Sequence, residues 1–156
     1  MEKFSNNRDH YWDQIKIELL EINDFENFRF QYLEMGQLFS HGFSITQIEK
    51  NSKELILKIW NAEYDNKRFD KEIFNLSRLA ITDSKIELNV QESETINKLL
   101  NTELSLTNYK GIVLDGLFCQ LEFDNKKMNW NINEEINDDL TQLVKFLRSK
   151  VPDNTI

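Results

Sequence analysis

The sequence predicts one α+β domain spanning residues 1–156. It is built on a mainly antiparallel sheet, with N-terminal, central and C-terminal helices packed on one face. Three observations carry this expectation. Apolar residues recur at three- and four-residue steps near the start, in the middle and at the end of the chain, and at two-residue steps between them. Successive two-step stretches are joined by short polar turns, which suit antiparallel neighbours. Finally, 156 residues with 40% hydrophobic and 12% aromatic content make one sizeable core. A chain this long buries about 70% of the surface it exposes when unfolded, so it needs no disulfide or metal to hold together.

Trp12, Ile15, Leu19 and Ile22 predict the first helix, with Asp9 as its cap and Ile17 and Leu20 widening its apolar side. From Asn27 to Leu33 the period becomes two: Phe28, Phe30 and Tyr32 lie on one side, Arg29 and Gln31 on the other. Gly36 and Gly42 bracket a connection. Phe43–Glu49 and Glu54–Trp60 then read as an antiparallel hairpin, the second strand carrying Leu55, Leu57 and Ile59 on one face and Ile56 and Trp60 on the other. Phe69, Ile73, Leu76 and Ala80 favour a helix over residues 70–80, although the flanking β-rich sequence leaves a strand open.

Ile86, Leu88 and Val90 alternate as a short strand, after which Ser93 is placed to cap a helix with Ile96, Leu99, Leu100 and Leu104 inward. Ile112–Phe123 is strongly strand-forming. Within it, Asp115-Gly116 suits a type I′ turn, which needs positive φ at both central residues. The alternative is an unbroken strand in which Asp115 shares a face with Val113, Leu117, Cys119 and Leu121, a setting where its carboxyl would need hydrogen bonds or a proton. Asp124–Lys127 is turn material, and Met128, Trp130 and Ile132 alternate with asparagines. The last helix places Ile136, Leu140, Leu143, Val144, Leu147 and Val151 in register. It opens with acids, closes with Lys145, Arg148 and Lys150, and stops at Pro152, a charge order that suits the helix dipole.

The formal charge is −8, and it is unevenly placed. Between Asp83 and Asp139 twelve acids face five bases, net −7, leaving −1 for the rest. No basic face of the kind that displaces counterions from phosphates is visible, so nucleic acid is not an expected partner. The first ten residues lack the apolar run of a signal peptide and no later stretch is long enough to cross a bilayer, so the expected location is the cytoplasm, without membrane association.

Catalytic and metal chemistry finds little purchase. His10 lies between Asp9 and Asp13, but no nucleophile accompanies it, and an exposed residue of a first helical turn explains it better. His41, in Ser40-His-Gly42, suits a site or a simple turn alike. Cys119, the one cysteine, sits in an apolar strand and reads as core. No spaced oxygen ligands, His/Cys metal pattern or phosphate-cradling glycine loop is present, so no metal or cofactor is expected.

What remains is recognition of another protein. Trp12, Trp60 and Trp130 all lie in apolar patterns, for which burial is the default. Yet Trp60 precedes Asn61-Ala-Glu-Tyr64-Asp65, and aromatic residues beside acids at a strand end suit an interface. The expected partner-binding residues are therefore Trp60, Tyr64, Asp65, Glu122, Asp124, Glu134, Glu135, Asp138 and Asp139, although the last four are also what a helix N-terminus favours. The function expected is a non-enzymatic inhibitor of the immunity or antitoxin type that binds a protein partner, such as a basic toxin, through this acidic region. The alternative class is a hydrolase or small-ligand binder whose dispersed carboxylate site draws on Asp115 and His41.

Overall fold

A computed structural model describes residues 4–21, 28–36, 42–48, 53–65, 67, 79–105, 117–131 and 136–152. The elements in chain order are α1 (Phe4–Leu20), β1 (Phe30–Gly36), β2 (Gly42–Gln47), β3 (Glu54–Trp60), β4 (Ile81–Glu87), α2 (Val90–Leu100), β5 (Leu117–Phe123), β6 (Lys126–Asn131) and α3 (Asp138–Arg148). The six strands form one antiparallel sheet in the order β4-β3-β2-β1-β5-β6. The domain is thus α+β, as its sequence predicts.

Alternation along the strands divides the sheet residues into two sets. Phe30, Tyr32, Phe43, Ile45, Leu55, Leu57, Cys119, Leu121 and Trp130 share one face, packed against Ile96, Leu99 and Leu100 of α2 and Leu140, Leu143 and Leu147 of α3. Leu33, Met35 and Trp60 point the other way, against Ile15 and Leu19 of α1. The helices therefore cover both faces rather than one. The physical reason is that β1 and β3 carry large apolar residues on each side, and a sheet with two apolar faces needs a layer on both.

α1 docks closely because β2 begins with glycine. A Cβ on Gly42 would lie 3.1 Å from Leu19 Cδ1 and 3.3 Å from Trp60 Cε3. Polar side chains of the sheet then close the helix's last turn, where backbone carbonyls lack helical partners. Gln31 Nε2 donates to the Leu20 carbonyl at 3.0 Å, Ser44 Oγ to that of Leu19, and Lys58 Nζ to those of Glu18 and Glu21. α1 begins at Phe4, so Asp9 lies inside the helix and does not cap it.

Three other boundaries differ from expectation. β4 runs over Ile81–Glu87, not residues 86–90. α2 then starts at Val90 with Asn89, not Ser93, as its cap: Asn89 Oδ1 accepts from Glu92 N at 2.8 Å and Glu92 Oε1 accepts from Asn89 N at 3.1 Å. This reciprocal pair satisfies two otherwise orphaned donors, which outweighs a hydroxyl one turn later. β1 extends to Gly36, bringing Glu34 and Met35 into the sheet. The Asp115-Gly116 turn, His41 and residues 70–78 fall outside the described residues, while Leu79 and Ala80 lead into β4 without regular structure.

The β5–β6 hairpin turns on Asp124 and Asn125, with φ of 47° and 63°. Two consecutive left-handed residues match the right-handed twist of the flanking strands, the arrangement for which glycine is favoured at the second position. Asn125→Gly should accordingly raise stability by about 0.5–1 kcal/mol, read as a higher urea midpoint with an unchanged slope.

Candidate functional site

α2 and α3 pack side by side, and hydrogen bonds at their ends show that they run antiparallel. Lys150, just past α3, pairs with Glu92 in the first turn of α2. At the opposite end, Asn137 caps α3 by accepting from Leu140 N at 2.9 Å, while its own amides reach the carbonyls of Glu103 and Ser105 beyond α2. Each helix thus meets its neighbour's opposite terminus, which also aligns their dipoles favourably.

This arrangement redistributes the negative charge. Glu92 is neutralised by Lys150, and Asp124 Oδ1 receives Arg29 Nη1 at 2.8 Å, although both bases lie outside the acidic stretch of sequence. Glu122, half-buried, stands opposite Lys127 across the β5–β6 ladder. At the Asn137 end, Glu103 and Asp138 are exposed and Asp139 half-exposed. Among the described residues none of these three carboxylates forms an ion pair. Glu134 and Glu135 lie outside the described residues.

The aromatic part of the expected surface is rearranged more thoroughly. Trp60 is 2% exposed and Asp65 1% exposed. Asp65 Oδ2 accepts from Trp60 Nε1 at 2.9 Å and from Ala80 N at 2.7 Å, tying the end of β3, the helical turn at residues 62–65 and the entry to β4 together. Neither residue can present itself to a partner in this state; a buried indole N–H needs an acceptor, and Asp65 is that acceptor. Tyr64, 58% exposed in the same turn, does face solvent. Trp12 packs edge-on against Phe118, and Trp130 is buried and stacks on Tyr32.

A polar cluster that periodicity alone does not announce lies beneath α3. Glu34 continues the Phe30–Tyr32 alternation, so its carboxylate is carried onto the α2/α3 face and is fully buried. Tyr32 OH donates to its Oε2 at 2.8 Å, and Arg148 Nη2 of α3 meets its Oε1 at 3.2 Å. Cys119, buried and not in a disulfide, stands directly opposite Glu34 in the β1–β5 register. One sequence signal was available: an acid in the inward phase of an apolar strand requires an inward cation or donor.

Burial holds the Tyr32 phenol well above its ordinary value, with Cys119 and Glu34 adding to the effect. Because the folded state prefers the protonated phenol, this contribution to stability is complete below the unfolded value near 10 and is lost as pH rises through it toward the folded value. Tyr32→Phe should therefore flatten the alkaline decline of stability above about pH 10, measured as urea midpoints from pH 8 to 11, while lowering neutral stability by about 1–2 kcal/mol through the lost hydrogen bond.

With the carboxylate and thiol both sealed from solvent, this cluster serves as an internal tie between β1, β5 and α3. His10 belongs to α1, while His41 and Asp115, the residues of the carboxylate-site alternative, lie outside the described residues. Among the described residues no group of three His, Cys, Asp or Glu side chains could hold a metal ion, and no helix is long and apolar enough to cross a membrane. Comparison with protein-family models, curated proteins and solved structures finds no match for the chain.

Proposed function

We propose that this protein is a non-enzymatic, protein-binding inhibitor of the immunity type, acting in the cytoplasm on a basic partner. The supporting observation is the end of the α2–α3 pair. Glu103, Asp138 and Asp139 gather there with no ion pair among the described residues and with exposed Lys98 as the base in the last turn of α2, while Lys150 and Arg29 neutralise acids elsewhere. Exposed charge of one sign accelerates encounter with an oppositely charged protein and makes the association sensitive to salt. Asp138 and Asp139 also favour α3 through its dipole; Glu103, beyond the C-terminal end of α2, gains nothing from that helix.

Affinity capture from the native host with the wild-type chain and with the triple variant E103K/D138K/D139K tests this reading. The wild type should retain a basic protein at low ionic strength and release it near 0.5 M salt, roughly where screening shortens the range of charge to about 4 Å. The triple variant should fail to retain it while keeping the wild-type circular dichroism spectrum. Equal retention by the variant, or no basic partner on the wild type, overturns the proposal.

A further inference from the structure

β4 ends the sheet, with β3 as its one strand neighbour among the described residues. Its four middle residues, Thr82–Lys85, are exposed. Hydrogen bonds from Asn61 N to the Ala80 carbonyl and from Leu88 N to the Lys53 carbonyl mark the even-numbered residues as those bonded toward β3. The backbone N–H and C=O groups of Asp83, Lys85 and Glu87 therefore point to the open side, together with the Ile81 carbonyl. The Ile81 N–H is already taken by Leu79.

An open strand edge is a template for another strand, and the residues along it decide which strands fit. β4 reads Ile-Thr-Asp-Ser-Lys-Ile-Glu, and its two central charges, Asp83 and Lys85, are complementary when the order is reversed about Ser84, while Thr82 then meets Ile86 and Ile81 meets Glu87. A two-fold axis at Ser84 pairs all seven residues. It sets Asp83 opposite Lys85 of a second copy and, by symmetry, Lys85 opposite Asp83 of that copy. Both pairs are odd-numbered, so each also joins outward backbone groups in the hydrogen-bonded type of pairing. Neighbouring registers are penalised: an axis at Asp83 stacks that residue on its own copy, and one at Lys85 stacks lysine on lysine and Asp83 on Glu87.

We infer that β4 is a homodimerisation edge, pairing antiparallel with β4 of a second copy about Ser84 to continue the sheet across the dyad. This surface is separate from the acidic end of α2–α3, and either reading can fail without the other. The net charge of −8 opposes association at low ionic strength, so the contact forms best where long-range repulsion is screened.

Sedimentation of the full chain at about 0.15 M salt, from about 10 μM to 1 mM, should show a monomer–dimer equilibrium. K85E, which places acids opposite one another twice, should weaken it by about tenfold or more; the exchange D83K/K85D should restore it, because it rebuilds opposite charges in the same register. In parallel, S84C should yield a diamide-induced disulfide dimer, since non-hydrogen-bonded partners lie about 4.5 Å apart at Cα. T82C should not, as its two copies would sit roughly 13 Å apart. A wild-type monomer at 1 mM, K85E that associates like the wild type, a charge exchange that fails to rescue, or cross-linking by T82C instead of S84C overturns the assignment.

Discussion

Arg148→Ala is expected to destabilise the fold by about 3 kcal/mol, the largest single effect anticipated for a side chain that is itself 36% exposed. The loss comes from what is left behind. Glu34 is fully buried, and without the guanidinium its carboxylate keeps the Tyr32 hydroxyl but loses the opposing charge that α3 brings to it. Relaxation toward the solvent that already reaches Arg148 keeps the loss at the lower end of the range for broken buried pairs. The double variant E34Q/R148A should recover about half of the deficit, because a neutral amide asks for hydrogen bonds and no counter-charge. Urea unfolding of the two single variants and the double variant closes the cycle. If R148A loses less than about 1 kcal/mol, the pair behaves as a surface salt bridge and the tie between α3 and β1 lies elsewhere.

Asp65→Ala should lose about 2–4 kcal/mol. One carboxylate oxygen serves two donors, the buried Trp60 indole and the half-buried Ala80 amide, and its removal leaves both N–H groups without that acceptor. Asp65→Asn retains an acceptor oxygen and should cost about half as much. Thermal unfolding of both variants tests this, and native-state hydrogen exchange at Ala80 and Asn61 should quicken in D65A, since Asn61 N donates to the Ala80 carbonyl beside the lost contact. Near-wild-type stability of D65A would return Asp65 to the role expected from sequence, an acid displayed for a partner.

β3 was legible to the residue, Glu54 to Trp60, because each of its faces is apolar in alternate positions and turn chemistry precedes it. The same logic located the β5–β6 turn and the inward side of α3. β4 was not legible over Ile81–Lys85: an edge strand with four exposed residues in a row buries no face, so no period of two is imposed on it. The placement of α1 opposite α2 and α3 was also invisible, since periodicity says which side of a helix is apolar but not which side of a sheet receives it. For the candidate surface, the acids were found but their local pairing was not. Arg29 meets Asp124 and Lys150 meets Glu92 only through folding, so charge counted along the chain overstates charge displayed in space. Trp60, for which burial is the default, and Asp65 still enter the expected partner-binding set because adjacent Trp, Tyr and Asp carry no mark that separates an interface from an internal indole–carboxylate bond.

The β1–β5 pairing joins Phe30 to Phe123 and Gly36 to Leu117, strands separated by about 80 residues of chain. A ribosome adding about 5–20 residues per second delivers β1 on the order of ten seconds before its second neighbour exists. During that interval the β1–β4 meander can assemble, yet β1, one of the two central strands of the finished sheet, is still a bare margin whose Phe30 and Tyr32 await α3. During synthesis β1 is therefore an unpaired edge open to other strands, although it ends up buried along its whole length.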